Sequence, residues 1–288
     1  MRIFITGVTG YIGSVVAEKL LAQGHEVVGL ARSEAAEAAL RRGAIIVHRG
    51  DLRDASSLAA PVNTCDAVIH TAVSREPDAQ RWEQESVGAM LNAMRGTRKM
   101  FIYTSGASVV GDTGGIVADE YHPTNPDNFR AQIEERVLDE VGQGVHVTII
   151  RPSFVYGREQ GILRRYTDHA REKGVAGYVL PGDNQWNFVH VDDLAMLYCL
   201  ALENSPSHTI FNAAAGESLP MVSLSEEIAL RVGAKLTAWT PSEAAPIIGR
   251  IAFLLATTLR VSSKQAQNEL AWQPSAPTVI DEIHTLLA

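Results

Sequence analysis

Apolar residues gather in the first half of the chain into short, nearly continuous runs at 2–6, 26–31, 44–48, 67–70, 99–104 and 145–151. Runs of this length that are apolar throughout, rather than at every second position, predict strands covered on both faces. Between them, 11–22, 33–42, 76–94 and 128–141 have the length and period of helices. Strand and helix in alternation predict an α/β fold built on a right-handed, doubly wound parallel sheet. Beyond residue 151 the rhythm loosens. Helices are expected at 161–173, 191–202, 223–232, 246–259, 262–270 and 277–287, with short strands near 178–180, 209–212 and 235–239. These pieces read as a smaller α/β cap. The expected division is a first domain over 1–155 and a cap over 156–288, with segments such as 188–212 returning to the first domain.

Chemistry enters at the end of the first run, in Thr6-Gly7-Val8-Thr9-Gly10-Tyr11-Ile12-Gly13. Gly7 permits a tight turn, Gly10 lets the backbone approach a pyrophosphate, and Gly13 lets helix and strand pack closely. The helix that follows turns its positive end and free N–H groups toward phosphate. The motif sits inside a βαβ unit, which marks the first domain as a dinucleotide-binding Rossmann domain. Thr9, Tyr11 and Ile12 complete the turn. The second run ends in Ala31-Arg32-Ser33, with Ala31 where an NAD site places an acid for the ribose 2′-hydroxyl. Arg32 suits a 2′-phosphate instead, so NADP(H) is expected over NAD(H), with Ser33 beside it. After the third strand, Asp51 and Leu52 are placed to meet the adenine, although Asp51 can equally cap the helix starting near Asp54. After the fourth strand, Thr71, Ala72 and Val73 line the carboxyl edge of the sheet; His70 is given no chemistry.

The 288 residues are 46% apolar and 20% charged, an ordinary globular composition large enough to need no staples. The net charge of −8 argues against nucleic acid and anionic membrane as partners, while leaving room for a local basic pocket. Cys65 and Cys199 make neither a disulfide framework nor a metal site, and the nine histidines are scattered, so no metal is expected. Met1 leads straight into the first strand with no signal-peptide pattern. The apolar stretch 245–259 is broken by Arg250 and is too short to span a bilayer. A cytoplasmic location is the expectation.

The motifs together resemble the extended, epimerase/dehydratase-like branch of the short-chain dehydrogenases/reductases. They include Asp66-Ala67-Val68-Ile69-His70-Thr71-Ala72, Tyr103-Thr104-Ser105-Gly106-Ala107-Ser108 and Arg151-Pro152-Ser153-Phe154-Val155-Tyr156-Gly157. Phe188-Val189-His190-Val191-Asp192-Asp193-Leu194-Ala195 and the stretch from Ser262-Ser263-Lys264 to Trp272-Gln273-Pro274 extend the likeness over essentially the whole chain. The resemblance implies that Thr104, Pro152, Phe154 and Val155 lie near the nicotinamide, that the segment around His190 and Asp192 braces the chain returning from the cap, and that the protein is a homodimer acting on a small molecule.

The family's chemistry uses a Ser or Thr after the fifth strand and a Tyr-x-x-x-Lys pair on the next helix. Here Phe129 pairs with Ile133, Arg130 with Glu134 and Asp127 with Ala131, and none of these registers supplies Tyr and Lys. Gly106 falls where the hydroxyl is usual, flanked by Ser105 and Ser108 as substitutes. Arg130 can polarise a substrate oxygen but cannot donate the proton, which then comes from water or from the substrate. The alternative for Arg130 is a surface i,i+4 pair with Glu134. The expected function is hydride transfer between NADP(H) and a carbonyl or alcohol, or a related C=N or C=C group, without the usual pair. A non-catalytic NADP(H) sensor or scaffold, and an epimerase or dehydratase, are the alternatives. In the cap, Tyr166, Tyr178 and Trp186 can wall a substrate with Asn187 as a polar contact, or can simply pack in the cap core.

Overall fold

The computed structural model describes residues 1–74, 76–206 and 208–288. The first unit opens as the apolar runs require, with β1 (Arg2–Thr6), α1 (Tyr11–Ala22), β2 (Glu26–Ala31), α2 (Glu34–Arg42), β3 (Ile46–Arg49), α3 (Ala59–Thr64) and β4 (Ala67–His70). It continues through α4 (Ala79–Met94), β5 (Met100–Thr104), α5 (Phe129–Asp139) and β6 (His146–Pro152). Then come β7 (Phe154–Tyr156), α6 (Gly161–Lys173), β8 (Val175–Val179), β9 (Gln185–His190), α7 (Val191–Asn204), β10 (Thr209–Ala213) and β11 (Ala215–Pro220). The chain ends with α8 (Met221–Val232), β12 (Lys235–Trp239), α9 (Pro241–Ile248), α10 (Ile251–Leu254), α11 (Lys264–Leu270) and α12 (Val279–Leu286).

The central sheet has seven strands in the order β10-β6-β5-β4-β1-β2-β3. The pairings from β6 through β3 are parallel, so every crossover needs a helix, and the sheet is the expected doubly wound one. One layer of its core packs Phe4, Val68, Phe101 and Val147 against Val87, Leu91 and Val137 of the helices α4 and α5. The second unit holds a three-stranded sheet, β11-β9-β7, and a parallel pair, β12-β8. Its core gathers Phe154, Trp186, Phe188, Leu163, Leu224, Ile228 and Trp239.

The two compact units interleave along the chain. The first comprises Met1–Ser105, Pro126–Arg151 and Ala195–Phe211; the second comprises Gly106–Asn125, Pro152–Leu194 and Asn212–Ala288. The expected division is therefore corrected in three places, the smallest being that 152–155 belong to the second unit. Residues 106–125, expected in the first domain, join the second because Ala118 is buried in its core and pairs with Val261. Of the expected returning segment 188–212, the part up to Leu194 stays with the second unit.

Element boundaries also shift. The single apolar helix expected over 246–259 is two short helices, α9 and α10, because Gly249 leaves the helical region at φ +84°. The strand expected at 178–180 lies earlier, as β8, where it pairs with β12 over Val175–Val179. Among the described residues no helix is long and apolar enough to cross a membrane.

Candidate active site

The turn between β1 and α1 has the close packing its glycines predict. Gly7 has φ +76°, and a Cβ there would sit 2.6 Å from the Ala72 backbone. A Cβ on Gly13 would sit 2.3 Å from the Gly7 carbonyl oxygen and 2.5 Å from Thr71 Oγ1. Thr71 in turn donates its hydroxyl to the Thr6 carbonyl at 2.8 Å, stitching the carboxyl ends of β1 and β4 together. Gly10 caps α1 without a side chain, and no acid occupies the first turn of the helix. The resulting backbone cradle, open at Thr9 and Gly10, fits a pyrophosphate without a competing carboxylate. Tyr11 and Ile12 are half-buried beside it, Ala72 is buried, and Val73 stands out into solvent.

At the end of β2, Ala31 is buried and Arg32 projects outward, paired at 3.6 Å with Glu76. Ser33 is the N-cap of α2, accepting from Ala36 N at 3.3 Å. Asp51 is gripped by Arg53 through Nε and Nη2 at 3.1 and 2.7 Å, which holds its carboxyl below the usual range. Asp54, not Asp51, caps the short turn that follows, by accepting from Ser56 N. Leu52 is half-buried. Arg53 also lies over the Trp82 ring at 5.7 Å.

The carboxyl ends of β4 and β5 carry a buried polar cluster. His70, fully buried, meets Thr6 Oγ1 through Nδ1 at 2.8 Å and stacks on Tyr103, with ring centroids 5.9 Å apart. Burial pushes its pKa down to about 4, so the ring is neutral. Tyr103 donates its hydroxyl to Glu83 of α4 at 2.7 Å; burial, then the Glu83 charge, drive its pKa far upward, so it is no proton donor near neutrality. Arg130, in the first turn of α5, donates to the same carboxylate through Nε at 3.2 Å and Nη2 at 3.4 Å. Its Nη1 donates to the Ser105 carbonyl at 3.4 Å. Burial opposes the Arg130 charge most strongly of any single influence, but Glu83, Tyr103 and Tyr198 together favour it and the pKa rises. The Ser105 hydroxyl is buried with no hydrogen-bond partner among the described residues. The Thr104 hydroxyl is engaged with Tyr198 Oη at 2.5 Å.

Glu134 is not the partner of Arg130. It forms a buried pair with Arg151 of β6, whose Nε lies 2.9 and 3.2 Å from the two carboxylate oxygens. The surface i,i+4 pair set against a functional Arg130 is thus absent. Glu83, Tyr103 and Tyr198 did not stand out in sequence. The available signal was a carboxylate at a core position of α4, in register with buried Val87, Met90, Leu91 and Met94.

In the second unit, Ser108 lies in the short turn Ala107–Val110. Pro152 ends β6, Phe154 packs its ring against Phe188 at 5.2 Å, and Val155 is half-buried. Tyr166 is buried and stacks on Trp239, Trp186 donates Nε1 to the Thr257 carbonyl at 2.8 Å, and Asn187 Oδ1 accepts from Val261 N at 2.8 Å. All three side chains are buried within the unit. Tyr178 is half-buried over Gly182. Asp192 pairs with Arg158 at 2.6 Å, and Asp193 binds the backbone of Ser275 and Ala276, so this segment ties down the C-terminal chain. Among the described residues no group of His, Cys, Asp and Glu can hold a metal.

Comparison with known proteins agrees with this architecture. A profile of the NAD dependent epimerase/dehydratase family matches residues 3–214. An uncharacterized protein of Schizosaccharomyces pombe is 32% identical over 289 residues, covering 98% of each chain. The 4-hydroxy-2-methyl-3-oxo-4-farnesyl-3,4-dihydroquinoline-1-oxide ketoreductase of Stigmatella aurantiaca is 28% identical over 73% of this chain and 67% of its own. Among solved structures, the dTDP-glucose 4,6-dehydratase of Bacillus anthracis superposes with a TM-score of 0.84 over 100% of this chain and 95% of its own, at 15% identity. The chain belongs to the NAD dependent epimerase/dehydratase family, in the extended branch of the short-chain dehydrogenases/reductases.

Proposed function

We propose that this protein uses NADP(H) in preference to NAD(H) and transfers hydride to or from a carbonyl, alcohol or related carbon of a small organic substrate without a Tyr-x-x-x-Lys pair. The nicotinamide supplies the hydride when bound; the chain supplies binding, orientation and polarisation. The observation that carries the reading is the Ser105 hydroxyl, desolvated and unpartnered at the carboxyl end of β5, beside a guanidinium that Glu83 holds in place. A buried hydroxyl left without a partner costs about 1–3 kcal/mol unless something satisfies it. A substrate oxygen is such a group, and carbonyl chemistry needs a donor there. Arg130 has five N–H donors, of which Glu83 and Ser105 engage three among the described residues. It carries charge but gives up no proton, so the proton comes from water or from the substrate. The ketoreductase relative lends support from its named activity. Preference for NADP(H) rests on Arg32 and on the absence of an acid at the end of β2, where Glu76 is a partner that a 2′-phosphate displaces.

The test is fluorescence titration with NADPH and NADH, followed by a screen of the NADPH complex against ketones, aldehydes, imines and activated alkenes. Tighter binding of NADPH and its oxidation by one of these classes are expected. Equal binding of both cofactors overturns the preference. Binding without oxidation by any class overturns hydride transfer in favour of a sensor or scaffold. Turnover of a sugar nucleotide with no net change in cofactor favours an epimerase or dehydratase.

A further inference from the structure

At the carboxyl ends of β2 and β3 two arginines meet acids in different ways. Arg32 pairs loosely with Glu76, at 3.6 Å and with most of its side chain in water. Arg53 closes on Asp51 with its backbone and its guanidinium together. Its N–H donates to Asp51 Oδ1 at 3.0 Å, Nε lies 3.1 Å from both carboxylate oxygens, and Nη2 donates to Oδ2 at 2.7 Å. The same guanidinium lies over the Trp82 ring, 5.7 Å from its centroid, so the first turn of α4 braces it.

This grip is not explained by capping, because Asp54 caps the turn that follows. What it does is fix a charged acceptor. The Arg53 hydrogen bonds first, against desolvation, and the Arg32 charge to a lesser extent hold the Asp51 carboxyl below its usual range, so it stays ionised near neutrality. It is held without being sealed: the Asp51 side chain keeps 25% of its surface in water. Its place on the sheet is also set. Gly50, just before it, donates its N–H to the Ala31 carbonyl at 3.1 Å, so Asp51 stands one strand beyond the end of β2, in the row that starts at the phosphate turn of β1. The residue ending β2 meets the adenosine ribose, so the base falls one strand farther on. An ionised carboxylate accepts and never donates. It repels a phosphate, and the group of adenine that it takes is the 6-amino group.

We propose that Arg53 is a positioning residue of the cofactor site, holding the Asp51 carboxylate turned to the adenine 6-amino group, with Trp82 bracing the guanidinium. This rests on the cofactor half of the proposed function and not on hydride transfer, because binding is read without turnover. The full-length protein is titrated calorimetrically with NADPH and with reduced nicotinamide hypoxanthine dinucleotide phosphate, in which a carbonyl oxygen replaces that amino group. The wild type is expected to bind NADPH at least about tenfold more tightly than the hypoxanthine analogue, since the carbonyl brings a second acceptor to the carboxylate. Asp51→Asn is expected to bring the ratio near one, because an amide turns either its N–H or its oxygen to the base. In Arg53→Met the ratio is expected to fall to about threefold or less, and in Arg53→Lys, which keeps the charge without the planar fork, to lie between. A wild-type ratio near one overturns the inference, as does a ratio that survives in Arg53→Met. Equal weakening of both dinucleotides in that variant makes Arg53 structural and overturns it too. If Arg53→Met melts several degrees below the wild type, the ratio in Arg53→Lys decides. Should neither dinucleotide bind the wild type, the cofactor reading falls with the inference; NADPH preferred over NADH, with the base ratio intact in Arg53→Met, sinks the inference alone.

Discussion

Helix α5 carries two acids-and-arginine arrangements one turn apart, and they serve different ends. Glu134 meets Arg151 with both side chains almost sealed, at 3% and 2% exposed. Arg130, four residues earlier, meets Glu83 with the acid at 7% exposed and the guanidinium at 21%. The closed pair fastens α5 to β6, and nothing else has access to it. The open pair stands at the carboxyl end of β5, where a doubly wound sheet receives ligands, beside an unpartnered hydroxyl. Identical chemistry thus acts as a rivet in one place and as a held, partly available cation in the other. Access, rather than the residue types, makes the difference.

The comparison is broken most severely by Glu134→Ala, which takes the carboxylate away from a charged and buried Arg151. Loss of about 3–5 kcal/mol is expected, read as a fall in the urea midpoint. If the loss is no larger than that of an exposed pair, the closed pair is not a rivet. The next largest effect concerns His70, in the same unit. Its folded pKa, about 4, lies below the unfolded value of 6.5. The unfolded chain therefore takes up the proton first, and stability present above pH 6.5 is lost as the pH falls toward 4, by about 3 kcal/mol at the limit. A His70→Asn variant, unfolded in urea at pH 7 and pH 4.5, should show a distinctly smaller acid loss than the wild type; equal losses refute the neutral-ring assignment.

Smaller effects sharpen the open half of the comparison. Ser105→Ala removes the unpartnered hydroxyl and should lower kcat/KM by roughly 10–100-fold, about 1.4–2.7 kcal/mol, while the urea midpoint holds or rises because a buried unpaired group is shed. A midpoint that falls with unchanged turnover would assign Ser105 to packing. Smallest is Arg32→Ala, expected to weaken NADPH by about tenfold, or about 1.4 kcal/mol, and to leave NADH unchanged. Parallel loss of both cofactors would mean that Arg32 reads something other than the 2′-phosphate.

Local pattern was a good guide where the physics is local. The apolar runs became β1 to β6, and Gly7 and Gly13 stand where the backbone tolerates no Cβ. Local pattern misled where a partner comes from far along the chain. Arg130 and Glu134 are helical neighbours, yet each pairs with a residue on another element, 47 and 17 positions away. Asp51 is a separate case, since its partner is only two residues on: the Arg53 guanidinium takes its carboxylate in place of the cap. Gly249, read as one residue of a continuous apolar helix, takes a positive φ and divides it.

The sequence by itself determined the α/β class, the phosphate turn and the lack of a Tyr-x-x-x-Lys pair, because periodicity and glycine spacing act over a few residues. Only the tertiary structure decided that Glu83 holds Arg130, that Ser105 is left unpartnered, and that residues 106–125 join the second unit. Those outcomes depend on which side chains are desolvated together. Desolvation is settled by packing among distant segments, which no local spacing encodes.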